Sequence, residues 1–162
     1  MTEAGAPFTH LDRHGHARMV DVTAKAVTAR RAVARAVVTT AAEVATALAG
    51  CDPDAIAAAR VAGVQAAKRT AELIPLCHPL PVSRLSVDVA PGPHRIEITA
   101  VAEVLERTGV EMEALTACAV AGLSLVAALQ PTDPGAELGE LTLWHKSGGR
   151  SGTWERAGGT SR

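Results

Sequence analysis

His78 sits between a cysteine and a proline in the string Ile74-Pro75-Leu76-Cys77-His78-Pro79-Leu80-Pro81. Three prolines in eight residues exclude a regular helix or strand, so the segment reads as an ordered loop. An imidazole held in such a loop can move protons near neutral pH, although a lone histidine is more often structural. Cys77 beside it is a possible nucleophile; a buried inert thiol is the ordinary alternative. A second string, Glu111-Met112-Glu113, opens a long apolar segment. Carboxylates at a helix N-terminus are favoured by the helix dipole. Residues two apart on a helix nevertheless point about 200° apart, so the dipole does not account for both. One of the two is expected to face a ligand or a neighbouring subunit.

The third string is Lys146-Ser147-Gly148-Gly149-Arg150-Ser151-Gly152. Glycines with two cations and two hydroxyls suit a phosphate group, and a solvated tail is the alternative. The spacing does not match a Walker A loop, so nucleotide hydrolysis is not implied. Among the remaining cations, Lys25, Arg60, Lys68 and Arg69, Lys68 falls near the helix face of Arg60 and the two together suit an anion. Arg69 reads as an ordinary solvated charge. His10, His14 and His16 resemble a metal set, but they lie in a polar arm and no metal site is expected there. His145, at a strand end, has no evident partner.

Periodicity supplies the elements that must position these groups. Residues 27–40 alternate Val27, Ala29, Arg31, Val33, Arg35 and Val37 and are rich in β-branched residues, which predicts a strand. Thr39 or Thr40 can cap a short helix over 41–50, with Gly50 as its stop. Asp54 is expected to cap a longer helix, about 55–72. Leu85, Val87 and Val89 alternate within 83–90, and Ile96, Ile98 and Ala100 within 95–106, with Val101 and Val104 read as out of phase. The Pro-Gly turn between these two strands makes a hairpin. The run 109–130 is a helix apolar nearly all round and therefore buried on several sides. A last strand covers 138–146, and a glycine-rich tail follows. The order β-α-α-β-β-α-β is a split βαβ pattern and predicts an α+β, ferredoxin-like domain, an antiparallel sheet with helices packed on one face.

Composition bounds the possible partners. A chain of 162 residues forms one domain. With one Phe, two Trp and no Tyr, aliphatic residues and alanine must fill the core. Alanine buries little area per residue, which favours further burial between subunits. A net charge of −1 gives no reason to expect nucleic acid or an anionic membrane as partner. No apolar run reaches the length of a membrane span and the N-terminus lacks a signal-peptide pattern, so a cytoplasmic protein is expected. Cysteines at 51, 77 and 118 are odd in number and widely spaced, which fits reduced thiols and neither a disulfide framework nor a zinc ribbon.

Four strings together resemble the MoaC family, the cyclic pyranopterin monophosphate synthases. They are MVDVTAKAVTARRA (19–32), ARVAGVQAAKRTAELIPLCHPL (59–80), RTGVEMEALTACAVAGL (107–123) and KSGGRSG (146–152). The resemblance runs from about Thr9 to Gly152 and divides the chain into an arm (1–18), a MoaC-like domain (19–152) and a flexible tail (153–162). It implies conversion of a cyclic dihydro-GTP derivative into cyclic pyranopterin monophosphate with loss of pyrophosphate, in molybdenum cofactor biosynthesis. It implies no metal or organic cofactor, and a ferredoxin-like protein assembled as a hexamer, a trimer of dimers, with the site at a subunit interface. Leu76, Cys77 and His78 match the family's substrate-contacting loop. Met112 and Glu113 match its second contact with Glu111 beside them, and Lys68 and Lys146 match basic positions near the site.

The chain also departs from the family pattern. The long helix of the family ends in Asp-x-x-Lys, and those positions are Ala127 and Gln130 here. A Lys-Gly-Asp string before the family's second helix is Asp52-Pro53-Asp54. Asp and Lys one turn apart share a helix face and can relay protons or hold phosphate. Losing one general acid or base lowers rates by about 10²–10⁴-fold. Three readings follow. The first is a synthase in which His78 or Lys68 takes over proton transfer. The second is a divergent paralogue acting on another nucleotide- or pterin-like anion. The third is a non-catalytic partner in mixed hexamers.

Overall fold

From Ala32 onward every second side chain of β1 (Thr28–Thr39) is fully buried: Ala32, Ala34, Ala36 and Val38 point to one side, and Arg31, Val33, Arg35 and Val37 to the other, where only Val37 is buried. That alternation places a helical layer on one face of the sheet only. The structure, a computed structural model, describes residues 10–12, 14–41, 43–45 and 53–157. β1 is the central strand. It pairs antiparallel with β3 (Arg95–Glu106) on one side and with β4 (Glu137–Ser147) on the other. β2 (Arg84–Pro91) lies outside β3, and β5 (Trp154–Glu155) outside β4, giving the order β2-β3-β1-β4-β5 with every pair antiparallel. The domain is α+β and ferredoxin-like, as expected. β5 falls in the segment expected to be a tail.

Ile96, Ile98, Ala100, Ala102 and Val104 of β3 are all buried. Val104 is therefore in phase with the strand, against expectation, and only Val101 faces the other side. Val87 and Val89 of β2 stand opposite Ala100 and Ile98 on the same face. Above them lie α1 (Pro53–Ala67), a short helix α2 (Thr70–Leu73) and the long α3 (Glu111–Leu129). α3 buries Ala114, Ala117, Cys118, Ala121, Leu125 and Leu129, a stripe of helical period. It reaches the length and apolar character of a membrane span, yet half of it is buried inside the fold, as befits a core helix. Small residues let the helices approach closely. A Cβ added at Gly63 of α1 would come within 2.8 Å of the Ala117 carbonyl oxygen.

The helix expected over 55–72 breaks between α1 and α2. Thr70 Oγ1 donates to the Ala67 carbonyl at 2.9 Å, and Arg69 N–H reaches back only three residues, to Ala66. A side-chain hydroxyl that takes a helical carbonyl competes with the backbone ladder. In the helix expected over 41–50, residues 43–45 are helical and 46–50 lie outside the described residues, as do Cys51 and Asp52. Asp133 fastens the end of β1 to the loop after α3, accepting from Thr40 Oγ1 at 2.7 Å and Ala41 N at 2.9 Å.

Candidate active site

Glu111 and Glu113 leave the first turn of α3 in different directions, as residues two apart on a helix must. Glu111 Oε1 lies 3.3 Å from Lys146 Nζ at the end of β4. Glu113 turns inward and is only 4% exposed. Burial pushes its carboxyl up to about 7; its own backbone N–H pulls the other way, and the charge of Glu111 adds to the rise. The Cys77 thiol is likewise raised, by burial first and then by the charge of Glu113. That coupling sets the proline-rich loop beside the first turn of α3. Cys77 is therefore held as a thiol rather than as a ready nucleophile. Cys118, deep in α3, is pushed to about 12 by burial and belongs to the core.

The loop itself is strained. Leu76 has φ 65°, in the left-handed region that costs a non-glycine residue about 1–2 kcal/mol. Such strain persists where the surroundings dictate the conformation, and it clusters at functional sites. His78 follows, half-buried, with no side-chain partner among the described residues.

The glycine-rich string 146–152 is no solvated tail at its start. Gly148 and Gly149 have φ of 99° and 70°. A Cβ at Gly148 would run into the Ala29 carbonyl, and one at Gly149 into the Arg30 guanidinium. The turn is thus seated against the start of β1. Arg30 donates from Nε to the Glu106 carbonyl at 3.3 Å and from Nη2 to the Arg107 carbonyl at 3.2 Å. Arg107 in turn donates to the carbonyls of Thr23 and Lys25. Between these segments opens a cleft of about 660 Å³, whose walls include Lys25, Thr28, Arg30, Arg107, Glu111 and Arg150. Four cations against the carboxylates of Glu111 and Asp21 make it a place for an anion. Thr28 Oγ1 is buried in its wall with no hydrogen-bond partner among the described residues. A narrow recess beside the cleft is lined by Arg30, Glu111, Lys146 and Ser151.

The structure therefore joins Glu111, Glu113, Cys77 and Lys146. It does not gather every residue singled out in the sequence. Lys68 is exposed just beyond α1, with no side-chain partner among the described residues. Met112 is 37% exposed. Arg60 is not paired with Lys68 around an anion: its Nη2 contacts Asp88 at 3.2 Å and the Val89 carbonyl at 3.3 Å, which ties α1 to β2. His145 has a partner after all, Glu155 Oε1 at 3.3 Å. Arg30 and Arg107 were not read as site residues. Arg30 lies on the opposite face of β1 from the alternating set, and Arg107 immediately precedes the helix signal. Both are in the strings that carry the family resemblance, the one signal that points to them. Among the described residues, no group of three or more His, Cys, Asp or Glu side chains is placed to hold a metal.

A sequence profile described as the MoaC family matches residues 19–149. The chain belongs to the MoaC family. This MoaC-family chain is 51% identical over 156 residues to a cyclic pyranopterin monophosphate synthase of Thermomicrobium roseum, covering 93% of this chain and 94% of that one. It is 50% identical over 161 residues to one of Chloroflexus aurantiacus, covering 96% and 99%. It is 50% identical over 152 residues to cyclic pyranopterin monophosphate synthase 2 of Mycobacterium tuberculosis, covering 92% and 91%. The matched span takes in all four MoaC-like strings up to Gly149, and with them the first turn of α3, the proline-rich loop and the cleft walls except Arg150 and Ser151.

Proposed function

We propose that this chain is a cyclic pyranopterin monophosphate synthase of molybdenum cofactor biosynthesis. Its substrate is 3′,8-cyclo-7,8-dihydroguanosine triphosphate, and pyrophosphate is released. The observation that carries this reading is the ion pair of Glu111 with Lys146 at the rim of a cationic cleft, two residues from a buried carboxyl poised near neutral pH. A triphosphate needs cations where its charge collects, and Lys25, Arg30, Arg107 and Arg150 line that cleft. The rearrangement needs a group that exchanges a proton near pH 7. Glu113 has the required environment, and His78 and Lys68 are assigned to the same work. Leu76, Cys77, Glu111, Met112 and Lys146 are assigned to substrate contact.

The length of α3 supports an oligomeric site. Ala127 lies sixteen residues beyond Glu111, about 24 Å along the helix at 1.5 Å per residue. Ala127 and Gln130 are both exposed. One chain cannot bring its own 127–130 segment to its own Glu111; a neighbouring copy can. The exposed apolar side chains of Val61, Leu105 and Leu123 give such an assembly surface to bury. A homohexamer built as a trimer of dimers, in the cytoplasm, is the form proposed.

The test is turnover. The purified protein is mixed with the cyclic dihydro-GTP derivative and pyrophosphate release is followed. Release by the native protein, lost in His78→Ala and in Glu113→Gln, is expected. Release only by the Ala127→Asp/Gln130→Lys variant would overturn the proposal and leave a binding scaffold without this chemistry.

A further inference from the structure

The face of the sheet turned away from the helices carries a second, chemically different feature. A trough of about 440 Å³ crosses β1 and β4, with Arg35, Arg95, Glu140, Thr142, Trp144 and Arg156 in its walls. Arg35 Cζ stands 4.2 Å from the centre of the Trp144 ring, a cation–π contact that fixes the guanidinium in place. Arg35 Nε is buried and has no acceptor among the described residues. A buried donor left unpaired is uncommon in native proteins and calls for a partner.

The charges around it are unevenly matched. Arg95 has two carboxylates, Glu97 at 3.7 Å and Glu140 at 3.2 Å. The backbone arranges the second of these. β4 is irregular opposite Arg35–Val37, and Glu140 there has φ 51°, so the bulge re-aims its side chain. With both acids engaged on Arg95, neither Arg35 nor Arg156 has a carboxylate partner among the described residues. Arg156 is held beside Trp144 by its backbone N–H on the Trp144 carbonyl at 3.0 Å and its Nε on the Leu143 carbonyl at 2.9 Å. Arg35 on the indole and Arg156 on the backbone of Trp144 thus line one trough, neither with a carboxylate of its own, while Glu97 and Glu140 in the same walls are taken up by Arg95.

We propose that Arg35, Trp144 and Arg156 form a binding site for a phosphoryl group, separate from the candidate active site. Three arginines against two glutamates leave the trough cationic, and the forks of Arg35 and Arg156 can each take oxygens of one tetrahedral group. A carboxylate offers only two oxygens, fewer than two guanidinium forks can bind. The group is a phosphate ester or free phosphate. The trough shares no lining residue with the cleft that holds Lys25 and Arg30, and the site does not depend on which reaction that cleft catalyses.

Trp144 is its own reporter. The protein has two tryptophans, so Trp154→Phe leaves Trp144 as the sole indole. The full-length Trp154→Phe protein is titrated with orthophosphate, pyrophosphate and guanosine monophosphate at constant ionic strength, with acetate as control. A saturable change in Trp144 emission is expected with a phosphoryl ligand and not with acetate. Arg35→Lys, which keeps the charge but removes the fork, and Arg156→Gln, on an exposed segment, are each expected to weaken binding at least tenfold. Lys146→Gln is expected to leave it unchanged. Tighter binding of the monophosphate ester than of orthophosphate identifies an ester as ligand; equal binding identifies free phosphate. The proposal fails if none of the three ligands gives a saturable change or if acetate matches them. It also fails if the signal survives both arginine variants, or if Lys146→Gln abolishes it.

Discussion

Lys146 Nζ and Glu111 Oε1 stand 3.3 Å apart, one at the end of β4 and the other on the first residue of α3. Each side chain is about one-third exposed, at 35% and 30%, so the pair contributes no more than about 1 kcal/mol to stability. Its position matters more than its strength. It holds an ammonium at the mouth of the cationic cleft, where substrate phosphates are proposed to bind. Lys146→Gln is therefore expected to lower kcat/KM for pyrophosphate release by about 10²-fold. Unfolding by denaturant should move by less than about 1 kcal/mol. A loss of several kcal/mol with little change in turnover would assign the pair to the fold instead.

Glu113 makes stability depend on pH. Its folded-state carboxyl titrates near 7, above the ordinary 4.5, so between these values the native state holds a proton that the unfolded chain releases. Stability is then greatest below pH 4.5 and falls as pH rises to about 7, beyond which this contribution is flat. The full effect is on the order of 3 kcal/mol from this group. Glu113→Gln should remove that slope and leave the protein more stable than the native form at pH 8. Urea unfolding of both proteins at pH 5 and pH 8 measures it. Parallel pH profiles would show that Glu113 is not held neutral.

Gly63 sets the distance between the two long helices. A methyl group there would meet the Ala117 carbonyl oxygen at 2.8 Å and the Ala121 and Val87 side chains at 3.2 Å. Backbone on one side and a packed core on the other leave little room to adjust. Gly63→Ala should destabilise by about 1–3 kcal/mol despite its better helix propensity. Thermal unfolding checks this; an unchanged or raised midpoint would mean that α1 shifts freely on α3.

Ala127 and Gln130 lie exposed at the far end of α3. Substitutions there should change stability by no more than about 0.5 kcal/mol. Restoring Asp and Lys adds a carboxylate and an ammonium one turn apart. The double variant is expected to raise turnover at least about tenfold, within the range for one general acid or base. The same variant with Lys146→Gln should lose that gain. Equal turnover of the native and restored proteins would show that other groups already do this work.

Much of the site was legible in the residues themselves. The prolines around Cys77 and His78 announced a rigid loop, and the two glutamates at the head of an apolar run announced that one of them faces something other than solvent. The strained conformation of Leu76 was not legible, because leucine has no preference for it and only the surrounding packing imposes it. Arg60 seemed free to bind an anion with Lys68. Its engagement with Asp88 depends on α1 lying over β2. The continuous helix expected over 55–72 is broken by one threonine hydroxyl, a competition that periodicity does not register.

What the sequence by itself determined is local. Alternation of period two defined the strands, apolar stripes of period near 3.6 defined the helices, and four specific strings defined the family. Those signals arise from interactions within a few residues of each other. Which distant side chains meet was decided only by the tertiary structure. Lys146 reaches Glu111 because β4 pairs with β1 and α3 lies across both. Arg35 meets Trp144 because the register sets Arg35 opposite Thr142 on the open face. Strand order and register follow from burying a whole face at once, and that is a property of the assembled sheet rather than of any one segment.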